Sequence, residues 1–127
     1  MRTTVISAAF VGIFGLIASL SAGAADTAVS RVIVVQTADV PGYVHEVETL
    51  QALLKKAGVS ATLRVWRATF AGAETGSIVV TVEVPNLAAI AKIDDTVRTN
   101  PDVAAEMKKI NGMRKIVSDS LYDLLSH

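Results

Sequence analysis

Residues 61–84, ATLRVWRATFAGAETGSIVVTVEV, consist of two strand-like segments separated by a glycine-containing turn. Residues 61–70 alternate between apolar and polar side chains, and residues 77–84 are rich in valine; both patterns are typical of β-strands. Residues 71–76 (AGAETG) are short and contain two glycines, as a tight connection requires. This stretch therefore predicts an antiparallel β-hairpin, and the remainder of the domain has to pack against it.

The two faces of this hairpin differ in polarity. One face is wholly aliphatic and is expected to lie under helices: Leu63, Val65, Val80, Val82 and Val84. A register that pairs Phe70 with Ser77 places two cross-strand pairs on the other face: Arg64 opposite Glu83, and Trp66 opposite Thr81. A half-polar sheet face with a large aromatic side chain is usually covered by a partner subunit or a ligand. The simpler interpretation is an ordinary cross-strand ion pair with Trp66 packed over it.

Helices and further strands flank the hairpin on both sides. Residues 32–36 (VIVVQ) are an unbroken apolar run, typical of a central strand, and residues 25–31 before them are expected to form a flexible lead-in. Asp39 is a candidate helix N-cap, and Gly58 ends that helix. Its inward positions recur at helical spacing: Tyr43, Val47, Leu50, Leu54 and Ala57. Glu46 is expected on its polar side.

The second helical region is divided. After Pro85 one helical stripe is predicted, formed by Leu87, Ile90, Ala91, Asp94 and Val97. Asn100-Pro101 ends that helix and starts a short one, with Val103, Met107 and Ile110 inward. Residues 114–122 (RKIVSDSLY) predict a last strand. The alternative is a terminal amphipathic helix that uses Ile116, Leu121, Leu124 and Leu125.

The resulting order is β-α-β-β-α-β with the second helix split, which is the ferredoxin-like α+β arrangement. It predicts a four-stranded antiparallel sheet in the order 4-1-3-2 with the helices on one face. In that topology the first and third strands are central, and these are the two most continuously apolar strands of the sequence.

Residues 1–24 have the three parts of a secretory signal peptide. Arg2 and the amino terminus are positive, residues 5–20 are uncharged and mostly apolar, and Ala22-Gly23-Ala24 has the small-x-small pattern of a cleavage site. Cleavage is expected after Ala24, with Ala25 as the second choice. The alternative of an uncleaved anchor is disfavoured because the apolar run is shorter than the ~20 residues that span a bilayer. The sequence thus predicts a domain of residues 25–127 that is periplasmic or secreted and free of the membrane after cleavage.

Composition excludes several classes of function. Twelve Lys and Arg balance twelve Asp and Glu, so there is no basic excess of the kind that nucleic-acid binding requires. The chain has no cysteine, which removes disulfides, thiol nucleophiles and cysteine metal sites. His45 and His127 have no partners at metal-ligand spacing. Ser118, Asp119 and Ser120 have no nearby histidine to complete a triad. The sequence therefore predicts no catalytic residue, metal or cofactor.

Residues 64–102, RVWRATFAGAETGSIVVTVEVPNLAAIAKIDDTVRTNPD, carry a resemblance to a known group. An aromatic strand, a glycine turn, a Val-rich strand ending in Val-Pro and a later Asn-Pro-Asp resemble the dimeric α/β-barrel superfamily, in particular its NIPSNAP-like and antibiotic-biosynthesis-monooxygenase-like domains. The resemblance implies a homodimer in which two ferredoxin-like sheets pack face to face around a small-molecule pocket. Members that bind haem depend on a histidine, and no histidine of this sequence falls at a matching position. No functional residue is carried over.

Three functions are consistent with these features. The leading one is an exported homodimeric domain that binds a small apolar molecule between its sheets, with four pocket candidates: Arg64, Trp66, Thr81 and Glu83. The second is a cofactor-independent monooxygenase or isomerase that uses Arg64, Trp66 and Glu83 to hold an aromatic substrate. The third is a structural or interaction module. A pocket of several hundred cubic ångströms lined by Trp66 would favour the first two.

Overall fold

The computed structural model describes residues 27–126. The predicted signal peptide, both candidate cleavage positions and His127 lie outside the described residues. The elements follow in this order: β1 (Val29–Gln36), α1 (Val40–Lys56), β2 (Thr62–Arg67), a 3₁₀ turn (Gly72–Glu74), β3 (Ile78–Val84), α2 (Leu87–Thr99), α3 (Pro101–Gly112) and β4 (Lys115–Asp123). The strand prediction for the last segment is confirmed.

The four strands form one antiparallel sheet in the order β2-β3-β1-β4, which is the predicted order 4-1-3-2. Together with the helix placement this confirms the ferredoxin-like βαββαβ fold with a split second helix. β1 and β3 are the central strands, as their continuous apolar sequences predicted. No helix in residues 27–126 is both long and apolar enough to cross a bilayer.

The core lies between one face of the sheet and the helices. The sheet contributes Ile33 and Val35 from β1 and Ile78 and Val80 from β3, and each is almost fully buried. The helices contribute the positions that the helical spacing predicted: Tyr43, Val47, Leu50, Leu54, Val103 and Ile110. Because strand side chains alternate between the two faces, the even-numbered residues of β1 and β2 lie on the helix-free face.

Asparagine and aspartate caps fix where the helices begin. The Asp39 carboxylate accepts a hydrogen bond from the backbone N–H of Gly42 at 3.0 Å and caps α1 as predicted. The Asn100 side chain accepts from the N–H groups of Asp102 and Val103, so it caps α3 directly after α2 ends. Pro101 takes the first position of α3, where its missing N–H costs nothing. This junction divides the second helix.

The two halves of the divided helix are buried to different extents. α3 packs against α1, and Val103 and Ile110 are fully buried there. No side chain of α2 is fully buried; Ile93 and Val97 are partly buried against the core. Of the predicted stripe, Val97 packs against the core, whereas Leu87, Ile90 and Ala91 do not belong to it. Ile93 and Val97 also line the cavity described below.

Three further expectations need correction. β1 begins at Val29 rather than at residue 32, because residues 29–31 already pair with β3 and β4. Glu46, expected on the polar side of α1, is only 8% exposed because α3 covers it.

The register of the hairpin also differs from the predicted one. Arg64 lies opposite Thr81 and Trp66 opposite Val79, two residues from the predicted pairing. The backbone hydrogen bonds from Ala68 N to Ser77 O and from Gly76 N to Ala68 O close the turn early, so Phe70 lies in the loop and is 99% exposed. A two-residue shift leaves every side chain on its predicted face.

Candidate functional site

A cavity of about 310 Å³ lies between the sheet and the helices. Its walls are mostly aliphatic side chains from the sheet and from all three helices: Ile33, Val47, Leu50, Leu54, Leu63, Val80, Val82, Ile93, Val97, Met107, Ile110 and Ile116. The volume is at the lower end of the ~300–1,000 Å³ that small-molecule sites occupy. The part of the cavity wall that belongs to α2 consists of side chains that are not fully buried.

The polar lining of the cavity includes an ion pair between two strands. Arg31 on β1 donates from Nε to Asp119 Oδ1 at 2.8 Å and from Nη2 to Oδ2 at 2.6 Å. This two-pronged geometry is the strongest that a guanidinium and a carboxylate can form. Arg31 also lies 4.0 Å from the carboxylate of Asp94 on α2, whose side chain is 64% exposed.

A β-bulge in β4 gives Asp119 its orientation. Ser118 pairs with Val34 and Ile116 pairs with Val35, so Val117 is the extra residue between them. Without the bulge, Ile116 and Asp119 would point to opposite faces because they are three residues apart. With it, both face the helices and line the cavity.

The ion pair shifts the titration of both partners. The hydrogen bonds from Arg31 hold the pKa of Asp119 below its ordinary value, although partial burial acts in the opposite direction. The pKa of Arg31 is raised, mainly by the same hydrogen bonds. Both groups are therefore charged at neutral pH, and the Asp119 carboxylate is already engaged by a cation.

Arg114, between α3 and β4, is a second guanidinium that lines the cavity. Its Nη1 donates to the Tyr43 hydroxyl at 2.9 Å and its Nη2 donates to Asn111 Oδ1 at 3.0 Å. Its Nε is buried and has no hydrogen-bond partner. Both acceptors of Arg114 are uncharged, and no carboxylate of residues 27–126 hydrogen-bonds to it.

The four predicted pocket residues lie on the opposite face of the sheet. Arg64 Nε donates to Glu83 Oε2 at 2.7 Å, and Trp66 Nε1 donates to the Thr81 hydroxyl at 2.8 Å. The structure thus brings the four together as two hydrogen-bonded pairs, each diagonal across the β2–β3 ladder because of the shifted register. The Trp66 side chain remains 53% exposed. These residues do not line the cavity.

Sequence reasoning missed the polar residues of the cavity. Arg31 fell in the predicted lead-in, Asp119 was considered only for a triad, and Arg114 was not singled out. The sequence contained one indication of these residues: Arg31 is two and four residues before Ile33 and Val35, so the three side chains lie on the same face of the strand. A charge in the phase of a buried sheet face predicts a buried partner or a cavity.

A separate pair of acidic side chains lies between α1 and α3. Glu46 and Glu106 are 8% and 9% exposed, and Lys109 Nζ lies 3.0 Å from Glu46 Oε1. Burial, and next the contact with Glu46, raise the pKa of Glu106. The hydrogen bond with Glu106, and next Lys109, lower the pKa of Glu46. The two pKa shifts run in opposite directions, so Glu46 loses its proton at lower pH than Glu106.

The site has the means to bind but lacks an evident set of catalytic groups. Aliphatic walls bury an apolar ligand, and guanidinium groups orient a polar one. In residues 27–126 there is no cluster of three or more His, Asp or Glu side chains that could hold a metal ion. A second surface concavity of about 410 Å³ lies beside Gln51, but this side chain is already used in hydrogen bonds to Ala61 O and from Leu63 N.

No protein-family model and no curated protein matches the chain. Among solved structures, one from Bacteroides thetaiotaomicron VPI-5482 is similar, and it is described as a conserved protein of unknown function and a possible oxidoreductase. It is 9% identical, with a TM-score of 0.56 over 79% of this chain and 100% of that chain. Another, from Bacteroides fragilis NCTC 9343, is described as a dimeric protein of unknown function with a ferredoxin-like fold; it is 19% identical, with a TM-score of 0.44 over 76% of this chain and 94% of that chain.

At 9% identity the first of these structures shows a shared fold alone, and no inference is drawn from the second. The class that fold and site together define is a ferredoxin-like α+β domain with a cavity under its helices.

Proposed function

We propose that this domain is an exported homodimer that binds a small, largely apolar molecule in the cavity between its helices and its sheet. The observation that carries the proposal is the cavity of about 310 Å³, with aliphatic walls and two guanidinium groups in its lining. A cavity of this size inside a small domain forgoes packing contacts that would stabilise the fold. A ligand would restore those contacts.

Two features support the homodimer. The helix-free face exposes two large aromatic side chains, Trp66 on β2 and Tyr122 on β4, at 53% and 57%. The Trp66 indole N–H and the Arg64 Nε–H are already hydrogen-bonded within the sheet, so a second sheet could cover these two donors without leaving them unsatisfied. This arrangement is the one that membership of the dimeric α/β-barrel superfamily would give, and we propose that membership on the same grounds. Export rests on the leader pattern of residues 1–24.

Titration of the domain of residues 25–127 with 1-octanol, monitored by two-dimensional NMR, tests the binding site. Shift changes are expected at Ile93, Val97 and Ile110 and not at Trp66. The variant Ile93→Trp should fill the cavity and abolish the changes, whereas Lys55→Ala, on an exposed helix position, should leave them intact. Changes confined to Trp66, Thr81 and Glu83 would instead place the ligand between two sheets. No change at either place would refute the binding function.

A catalytic role is the second candidate. Cofactor-independent oxygenases need few groups, and the Arg64–Glu83 and Trp66–Thr81 pairs form a polar surface that a second sheet could enclose. If octanol shifts the resonances of Arg64, Trp66, Thr81 and Glu83 in a homodimer, this result would favour the catalytic role over ligand binding in the cavity.

A further inference from the structure

We infer that the ligand of the helix-side cavity carries one carboxylate, and that Arg114 binds it. The inference rests on the proposed function and names the chemistry of its ligand. The two guanidinium groups at the cavity have different hydrogen-bond partners. Arg31 has a carboxylate partner, and Arg114 hydrogen-bonds to none.

The hydrogen bonds of Arg114 leave capacity for an anion. A guanidinium has five N–H donors, and two of those of Arg114 reach the neutral oxygens of Tyr43 and Asn111. Nε is buried with no acceptor at all. Because Nε is closed to solvent, a ligand in the cavity reaches the guanidinium through the N–H groups of Nη1 and Nη2 that Tyr43 and Asn111 leave unengaged. The two existing hydrogen bonds hold the guanidinium plane in place, which preorganises the remaining donors.

The charges around the cavity select a monoanion. Asp119 is the nearest anion in the lining, and Arg31 already engages both of its oxygens. Asp94 is largely solvated and 4.0 Å from Arg31. Both carboxylates of the lining therefore lie within 4.0 Å of Arg31, whereas Arg114 hydrogen-bonds to neither, so Arg114 can pair with one further anionic group. A cationic ligand would meet Arg114 without a free anion, and a dianion would be repelled by Asp119 and Asp94.

The aliphatic walls determine the rest of the ligand. Beyond the guanidinium groups the lining is formed by side chains such as Ile93, Val97 and Ile110, which offer no hydrogen bonds. A body with polar groups would lose its hydration without compensation there. The ligand class is accordingly a small monocarboxylic acid with an apolar body, such as a medium-chain or aryl-substituted acid.

Octanoate and 1-octanol form a matched pair of probes, because they share the chain length and differ in the head group. Calorimetric titration of the domain of residues 25–127 is expected to show octanoate binding about tenfold or more tightly than octanol. Arg114→Gln should reduce octanoate affinity by about tenfold and leave octanol affinity unchanged. Arg67→Gln removes an exposed arginine of β2 and should change neither.

A measurement on the unmodified protein tests the inference even if the Arg114 variant misfolds. The side-chain Nε–H resonance of Arg114 should shift on addition of octanoate and not of octanol. Equal affinity for both compounds, or an unchanged Nε–H resonance, would overturn the carboxylate inference while leaving the cavity as a binding site. If neither compound binds, both the inference and the proposed function fail.

Discussion

Arg31 of β1 and Asp119 of β4 form a two-pronged ion pair on the helix-bearing face of the sheet, with N–O distances of 2.8 and 2.6 Å. The pair depends on the bulge at Val117, which turns Asp119 toward the helices. It lies beside an aliphatic cavity, on the face of β1 that carries the buried residues Ile33 and Val35. The protein thus keeps a charged pair where packing alone would serve stability.

Asp119→Asn is expected to lower the free energy of unfolding at pH 7 by about 1 kcal/mol, a value reduced for the partial solvent exposure of both side chains. Since the folded-state pKa of Asp119 is lowered, its stabilising contribution is present above the unfolded pKa of about 3.9 and disappears as pH falls through the folded value. The difference between the wild type and the variant should therefore shrink towards zero in strong acid. Urea denaturation at pH 7 and at pH 3 measures it.

Asp123→Asn is the matched control for this prediction, because Asp123 ends the same strand and is exposed. It should leave the free energy of unfolding unchanged within error at either pH. An Asp119→Asn effect that persists undiminished at pH 3 would show that lost packing, rather than lost charge, is its cause.

Glu106→Gln tests the opposed pKa shifts of the two carboxyl groups between α1 and α3. The pKa of Glu106 is raised, so its favourable contribution is present below the unfolded pKa of about 4.3 and is lost as pH rises through the folded value. Glutamine imitates the protonated form and places no second negative charge beside Glu46. We expect the variant to be more stable than the wild type at pH 8, with a melting temperature higher on the order of 2–5 °C.

Differential scanning fluorimetry between pH 4 and pH 8 would measure this effect. Lys109 and His45 are the other charged or titratable groups that act on the pair, and both remain in the variant. Glu48→Gln, at an exposed position of α1, is the control and should leave the pH profile unchanged. A variant less stable than the wild type across the whole range would mean that Glu106 is ionised in the native state.

The fold could be predicted from the sequence because strands and helices have different periods. Residues 61–70 alternate in polarity, which is typical of a strand, and Tyr43, Val47 and Leu50 recur at helical spacing. The order of the elements is then compatible with few topologies. The register of the hairpin could not be predicted, because it depends on hydrogen bonds inside the turn. Those bonds join Ala68 with Ser77 and Gly76.

The cavity was beyond prediction for a different reason. Its lining combines side chains of the sheet and of all three helices, and α2 buries no side chain fully whereas α3 buries Val103 and Ile110. No residue pattern in the sequence distinguishes the two helices in this way. The Arg31–Asp119 pair was hidden by the bulge, because regular alternation from Ile116 puts Asp119 on the wrong face. A bulge leaves no reliable mark in a single sequence.

Export makes a prediction about the mature chain. Expression in a bacterial host should give a periplasmic protein whose first residue is Ala25, or Asp26 if cleavage follows Ala25. Ala22→Leu removes the small residue that cleavage after Ala24 requires and should abolish the species that begins at Ala25. Intact-mass spectrometry of the cell fractions distinguishes these species. Full-length unmodified chain found in the membrane fraction would contradict the prediction.

Association through the helix-free face is the last prediction, and Trp66→Ala tests it. In one chain the Trp66 side chain is half exposed, although its indole N–H is satisfied by Thr81. Burying the remaining aromatic surface against a second copy contributes on the order of 2–3 kcal/mol per chain. The variant should therefore both weaken the dimer and lower the melting temperature, and the wild type should become more stable as protein concentration rises.

Light scattering on the domain of residues 25–127 at tens of micromolar measures whether the protein is a dimer. Melting curves over a dilution series measure whether its stability depends on protein concentration. Lys55→Ala is the control, since Lys55 lies in the exposed last turn of α1, away from the sheet face. It should change neither association nor melting temperature. If the wild type is monomeric and equally stable on dilution, Trp66 has no second copy to cover it. Octanol-induced shifts at Trp66 would then identify it as part of a ligand site, and the homodimer would be refuted.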